Sequence, residues 1–223
     1  MSLAKSLGFD VPVVNLIYVP EPVYLVERFD RENTWPDQNR LHMLDACQLL
    51  ALDKAFKYKS SNVKSLCKLN DYCRSKAKTR IQLFNWAVFN AIVGNTDAHL
   101  KNLSFFMTND AITLPPHYDL LSTAIYVDDN RFFDDELSQP MGEARTLAQL
   151  TVRDVVIFGE SLGLKEKQCL KQLKTLLSSI EEKAMVLYSE VEALPVNIYK
   201  AGELRMLREI IHIIIKEMVK KLS

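Results

Sequence analysis

The sequence predicts a mainly α-helical protein with a short strand pair near its N-terminal end and one small β-hairpin in its middle. Three observations carry this reading. Apolar residues recur at helical spacing through 41–92 and again through 151–222. Strand-forming composition is concentrated in 11–29 and 103–114. Only 6 of the 223 residues are glycine, few for a loop-rich β-protein.

In chain order, Leu3, Ala4 and Leu7 have helical spacing and Gly8 is placed as a C-terminal cap. The pattern reads as the end of a helix begun before Met1. Residues 11–19 and 23–29, joined by Pro-Glu-Pro, read as two adjacent strands, which cannot close a core alone. Residues 31–39 are polar, contain Pro36, and form a connection. A helical pattern starts at Leu41 (Leu44, Ala46, Cys47, Leu50, Ala51) and fades near Phe56. Ser61 is placed to cap the next helix, marked by Val63, Leu66, Leu69 and Tyr72. Thr79 opens a longer amphipath with Ile81, Phe84, Val88, Phe89 and Ile92 on one core-facing stripe, stopped at Gly94.

The helical period is then lost. The polar run 95–102 precedes two short strands, 103–108 and 111–114, around the turn pair Asn109-Asp110. Pro115-Pro116 ends the second strand and His-Tyr-Asp follows. This order brings the polar loop and Asp119 to the same end of the hairpin. Residues 128–136 are acidic and read as a solvated loop; their spacing does not fit an EF-hand. From Thr151 the chain is helical again, broken before Pro195, with Lys167, Lys171, Lys174, Lys216, Lys220 and Lys221 as exposed helix charges.

Length and composition suit one large domain or two small ones. With 28 basic and 28 acidic residues the net charge is +0, which gives no global pull toward nucleic acid or an anionic membrane. Cys47, Cys67, Cys73 and Cys169 lack C-x-x-C spacing and read as buried thiols rather than a zinc site or a disulfide framework. The first ten residues contain no continuous apolar run. The apolar run 210–215 is far short of the ~20 residues that span a bilayer. A soluble, cytoplasmic protein is expected.

The chemistry lies in 84–119. Asp97, His99 and Asn102 form D-x-H-x-x-N, and Asp119 follows 17 residues after Asn102. Phosphoryl transfer needs a base for the acceptor hydroxyl and cations on the phosphate oxygens. Mg²⁺ takes one or two carboxylates and fills the rest of its shell from phosphate and water. Asp97 as base, with Asn102 and Asp119 as metal ligands, is a sufficient set, and D-x-x-x-x-N is the spacing of the protein-kinase catalytic loop. Each residue also has a plain structural reading. Asp97 fits a helix cap or an Asx-turn, Asn102 and His99 fit loop hydrogen bonding, and Asp119 fits the cap of a helix over 119–126. Those readings do not account for the joint arrangement.

The run VGNTDAHLKNLSFFM followed by LPPHYDLLST resembles the signature of HipA-like serine/threonine kinases, toxins of bacterial toxin–antitoxin pairs. VYLVERFDR, RLHMLDACQLL and LSQPMGEARTLAQLTVRDVVIFGESLGL extend the resemblance over most of 3–164. It implies a kinase-like helical C-lobe over 31–223, with 1–30 a remnant of the N-lobe and hinge. It implies ATP and Mg²⁺ as cofactors, Asp97 as catalytic base, His99 near the phosphates, and Asn102 and Asp119 as Mg²⁺ ligands. Glu27 and Phe29 would form the adenine hinge, Asp30 would face the ribose, and Tyr118 would border the nucleotide. The implied partners are a helix-turn-helix antitoxin and a protein substrate such as an aminoacyl-tRNA synthetase, with DNA met only through the antitoxin and no membrane. Residues 1–30 contain no glycine-rich loop and no strand lysine, so the chain reads as an N-terminally truncated catalytic lobe with little or no activity alone. The alternative is a non-catalytic module that binds an antitoxin or the substrate.

Overall fold

The computed structural model describes residues 1–33, 36–126 and 136–223. The acidic run expected as a solvated loop lies, apart from Glu136, outside them. α1 (Ser2–Ser6) ends near Gly8, whose φ of +87° is the left-handed backbone that stops a helix. β1 (Val14–Tyr18) and β2 (Pro22–Val26) form an antiparallel hairpin with Leu16 opposite Tyr24. Leu16, Ile17, Val23, Tyr24, Leu25 and Val26 are 39–53% exposed, so neither face of the hairpin is covered. Its tip is tethered by Tyr18, whose hydroxyl lies 2.9 and 2.7 Å from the two Glu203 oxygens and whose ring stacks on Tyr199.

A two-residue ladder, β3 (Arg31–Glu32) with β4 (Asn39–Arg40), leads to the first correction of the sequence reading. Where a helix from Leu41 was expected, β5 (Met43–Asp45) forms a strand, and only α2 (Ala46–Leu49) and a 3₁₀ turn at Lys54–Phe56 are helical. The cause is local. Asp45 accepts from the Gln48 N–H at 2.9 Å while Gln48 Oε1 accepts from the Asp45 N–H at 2.9 Å, a capping box that starts the helix at Ala46. The residues before the cap are extended and pair with β6 (Ser104–Met107), Leu44 opposite Phe105. β7 (Ile112–Thr113) completes a three-stranded sheet in the order β5-β6-β7.

α3 (Val63–Tyr72) is capped by Asn62, whose Oδ1 accepts from the Ser65 N–H at 3.2 Å. Ser61, expected in that role, is buried and accepts instead from the side chain of Gln139. α4 (Lys76–Ile92) starts three residues before Thr79, and every residue from Leu83 to Asn95 except Asn85 is buried. A single apolar stripe therefore understates it: the C-terminal half of α4 is core around its whole circumference.

β8 (Glu136–Met141) and β9 (Ala144–Thr146) form a further hairpin that packs on α4, its turn at Gly142. α5 (Val152–Ser161) and α6 (Glu166–Ala193) follow, then α7 (Lys200–Glu209), a π-helical segment at Ile210–Ile215, and α8 (Lys216–Leu222). α4, α5 and α6 pack tightly together at Gly159, where a Cβ would run into Cys169 and Phe84. The four cysteines are free thiols, Cys67 half-buried and the others buried, and burial pushes all four thiol pKa values up. Lys221 departs from the expected exposed helix charges. It is half-buried, its ammonium donates to the carbonyls of Leu147 (3.1 Å) and Ala148, and burial lowers its pKa. Among the described residues no helix is long and apolar enough to cross a membrane.

Candidate functional site

The site begins where α4 stops. Gly94 has a φ of +67°, and its carbonyl accepts from the N–H groups of Thr123 and Ala124, both at 2.9 Å. This clamps the loop after α4 to the segment that follows Asp119. Two buried amides carry the link further. Asn90 Nδ2 donates to Trp86 O (2.8 Å), and Asn95 Nδ2 donates to Asn90 Oδ1 (2.8 Å) and Asp119 O (3.3 Å). Asn95 Oδ1 accepts from the Asp97 N–H at 3.2 Å. Gln139 of β8 braces the loop from outside by donating to Ala98 O at 3.2 Å. Buried polar groups carry such bonds because leaving them unpaired costs about 1–3 kcal/mol each.

On this frame the predicted residues converge. Asn102, 6% exposed, donates from Nδ2 to Asp97 O (3.1 Å) and to Asp119 Oδ2 (2.8 Å). Both amide hydrogens are thereby engaged, and Asn102 Oδ1 has no partner among the described residues. Asp119 has a φ of +56°, and the residues after it are irregular up to a 3₁₀ turn at Ala124–Tyr126. The helix expected to start at Asp119 is therefore absent. Aspartate tolerates left-handed backbone better than most residues, and here that backbone aims the carboxylate at Asn102.

The Asp97 side chain is 44% exposed and accepts a 2.5 Å bond at Oδ1 from the hydroxyl of Tyr58. His99 Nε2 stands 3.8 Å from the same oxygen, too far for a hydrogen bond. Burial, then the charge of Lys57, lowers the His99 pKa, so the ring is neutral near pH 7 and the pair is not an ion pair. Tyr118 donates to Lys101 O (2.8 Å) and shares a 2.7 Å bond with Ser104 Oγ, while its ring meets Phe29 at 5.8 Å. Phe29 also packs edge-on against Phe106. Asp30 is held by Arg28 (2.8 and 2.6 Å) and Arg31 (2.5 Å), and these guanidiniums, Arg28 foremost, keep its pKa at about 2. Glu27 is exposed just past β2, its N–H on Val13 O. The structure therefore gathers Asp97, His99, Asn102 and Asp119, sets Tyr118 and Phe29 together beside the sheet, and leaves Glu27 and Asp30 at the hairpin's base.

Three contributors carried no sequence signal. Tyr58 lies 39 residues from its partner Asp97. Tyr24 projects from β2 within electrostatic reach of Asp119, its phenol pKa raised by burial and then by that carboxylate. Lys101 reaches across to Asp45 Oδ2 at 2.5 Å. Such long-range contacts have no periodicity or spacing to betray them.

The donor set can be tested against a metal. Asn102 and Asp119, joined by the Nδ2–Oδ2 bond, both carry hard oxygen donors, which suits a cation that keeps several waters or phosphate oxygens. Among the described residues no three His, Cys, Asp or Glu side chains are placed to hold one metal ion between them. A Mg²⁺ site, needing only one or two carboxylates, does not require such a cluster. An apolar cavity of about 500 Å³, lined by Phe89, Val93, Leu120, Leu187, Leu207 and Ile211 among others, includes none of the candidate residues.

In fold, the chain is kinase-like. It matches the Helicobacter pylori proinflammatory kinase CtkA over 98% of its length and 78% of that chain, with a TM-score of 0.60 at 17% identity. Residues 1–184 match the HipA-like C-terminal domain, and the chain belongs to that family. It is 31% identical over 199 residues to the serine/threonine-protein kinase toxin HipA of Shewanella oneidensis, covering 82% of this chain and 45% of that protein. A chain from the solved complex of HipA, HipB and operator DNA of the same organism matches with a TM-score of 0.84 at 25% identity, over all of this chain and 54% of that one. The chain spans about half the length of the curated relatives it matches.

Proposed function

We propose that this chain carries the acceptor-side and metal-binding half of an ATP- and Mg²⁺-dependent serine/threonine kinase site. Asp97 orients the acceptor hydroxyl and accepts its proton. Asn102 and Asp119 hold Mg²⁺, which when bound neutralises charge on the phosphate oxygens. His99 is the neutral neighbour of the phosphates. In this reading residues 1–30 belong to the N-lobe and hinge, and 31–223 form the helical lobe. Glu27 and Phe29 meet the adenine through backbone groups and Tyr118 borders the nucleotide. Asp30 shares its carboxylate between a ribose hydroxyl and the two arginines that already hold it.

The observation that carries the reading is the orientation of Asn102. Its two N–H bonds go to the backbone of the base and to the second carboxylate, 17 residues away, which leaves its carbonyl oxygen free of both and available to a cation. Calorimetric titration with Mg·ATP tests it. The wild type is expected to bind, and Asp119→Ala to bind at least roughly tenfold more weakly. Equal affinity would remove Asp119 from the metal site.

Turnover is a separate matter. Residues 1–30 hold no glycine-rich loop, and Lys5 lies on α1 rather than on a strand. Phosphate clamps of that kind supply much of the electrostatic stabilisation in phosphoryl transfer. The 223-residue chain by itself is therefore expected to transfer phosphate very slowly, and rapid labelling of a protein acceptor from radiolabelled ATP would overturn this. The same observation favours a second reading, a module that engages a partner without catalysis. The HipA–HipB–operator complex of the relative supports an antitoxin as that partner; the partner proposed is a helix-turn-helix protein, with DNA reached through it. An aminoacyl-tRNA synthetase or another cytoplasmic protein is the proposed acceptor.

A further inference from the structure

The backbone of Asp97 is fixed from two sides, since its N–H donates to Asn95 Oδ1 and its carbonyl accepts from Asn102 Nδ2. Its carboxylate is not fixed by either. The side chain is 44% exposed, and His99 Nε2 at 3.8 Å is beyond hydrogen-bond range. Among the described residues, the one hydrogen bond to the carboxylate comes from Tyr58, at 2.5 Å to Oδ1. An exposed carboxylate left to itself samples several staggered rotamers. A base that must meet a hydroxyl in one geometry cannot do so freely.

Tyr58 is itself held in place. Asp53 caps the 3₁₀ turn Lys54–Phe56 that delivers it, accepting from the Ala55 N–H at 2.8 Å. The next residue, Lys57, accepts at its carbonyl from the Leu100 N–H at 3.3 Å, which pins this segment to the loop that carries Asp97. The Tyr58 ring meets His99 edge-on at 4.9 Å, and the Lys57 ammonium lies 4.6 Å from its centroid. The hydroxyl therefore arrives at Asp97 from a braced ring.

We infer that Tyr58 is a positioning residue for Asp97, holding Oδ1 so that Oδ2 alone is presented to an acceptor hydroxyl. This rests on the reading of Asp97 as the base. The Tyr58 phenol pKa is raised, chiefly by its bond to Asp97, so the hydroxyl keeps its proton and remains a donor. The bond is charge-assisted, which favours the short geometry.

Nuclear magnetic resonance on the 223-residue chain tests this without nucleotide. Three-bond couplings from the Asp97 Cγ to its backbone N and C′ are expected to report one χ1 rotamer in the wild type and averaging in Tyr58→Phe. Identical couplings in the two proteins would overturn the inference. If Tyr58→Phe fails to fold, a titration of ring-¹³Cζ-labelled tyrosine decides. The Tyr58 midpoint should fall toward the ordinary value of about 10 in Asp97→Asn, and an unchanged midpoint would overturn the inference. Mg·ATP affinity separates the two readings. Failure of the wild type to bind sinks the kinase site but leaves the rotamer result standing. Loss of binding in Tyr58→Phe as large as in Asp119→Ala would place Tyr58 in the nucleotide site, and not in a positioning role.

Discussion

The polar loop after α4 and the apolar β1–β2 hairpin are both short pieces of chain, yet they are supported in opposite ways. The loop is braced through Asn90, Asn95, Thr123 and Gln139, each bond crossing from a different element, and its residues are mostly buried. The hairpin has a regular ladder but open faces, and beyond its ladder its tip depends on one tyrosine against Glu203 and Tyr199. A two-stranded hairpin is marginal by itself in water. The difference shows that pre-organisation is concentrated around Asp97, Asn102 and Asp119, the proposed base and metal donors. The hairpin, proposed as part of the N-lobe and hinge, is left with open faces.

The contrast can be broken first at Gly94. A Cβ there would come within 2.8 Å of Ile214 Cγ2 and 2.9 Å of Ala124 Cβ, at a φ of +67° that side chains resist. Gly94→Ala is expected to lose roughly 3–5 kcal/mol in urea unfolding, from strain and overpacking together. A loss below about 1 kcal/mol would mean that the clamp at the end of α4 is soft.

A second, slightly smaller effect comes from His117, the buried imidazole two residues before Asp119. Burial brings its pKa down to about 4 from an ordinary 6.5. The folded protein keeps the ring neutral while the unfolded chain takes up a proton below about pH 6.5. This part of the stability is therefore complete above that pH and is lost as pH falls toward 4, by about 3 kcal/mol. His117→Gln should show a smaller drop in urea midpoint between pH 7 and 4.5 than the wild type, and parallel drops would contradict the assignment.

Smallest is the hairpin tether. Tyr18→Phe should cost about 0.5 kcal/mol or less globally, because the bond is partly solvated. Amide exchange in β1 and β2 should nevertheless quicken severalfold while α4 is unaffected. Unchanged exchange would show that the hairpin does not depend on Glu203.

Legibility from sequence divides along the same line. The long helices were readable because α4, α6 and the tail repeat apolar residues at helical spacing, and the D-x-H-x-x-N loop was readable because its members are close in sequence. β5 was not, since Leu44, Ala46 and Cys47 satisfy a helical count until the Asp45–Gln48 capping box is recognised. The β8–β9 hairpin carries a weak strand signal because Pro140 falls inside β8. The choice of Asn62 over Ser61 as a cap turned on Gln139, some 78 residues away, which claims the serine. Tyr58 and Tyr24 belong to the same class, residues whose importance is created by partners that only folding brings near.

The π-helical segment at Ile210–Ile215 bears on the phase of the chain's last helix. Its wider turns place Ile211, Ile214 and Ile215 in the core and deliver α8 with Met218 and Leu222 buried and Lys221 on the carbonyls of Leu147 and Ala148. A π segment holds one residue more than the α turns it replaces, at a smaller rotation per residue. Removing one residue there would return the segment to an α-helical count and leave α8 in nearly the same rotational phase, with Met218 and Leu222 still facing the core. The extra residue is thus absorbed inside the helix and is not passed on to the last turns of the protein.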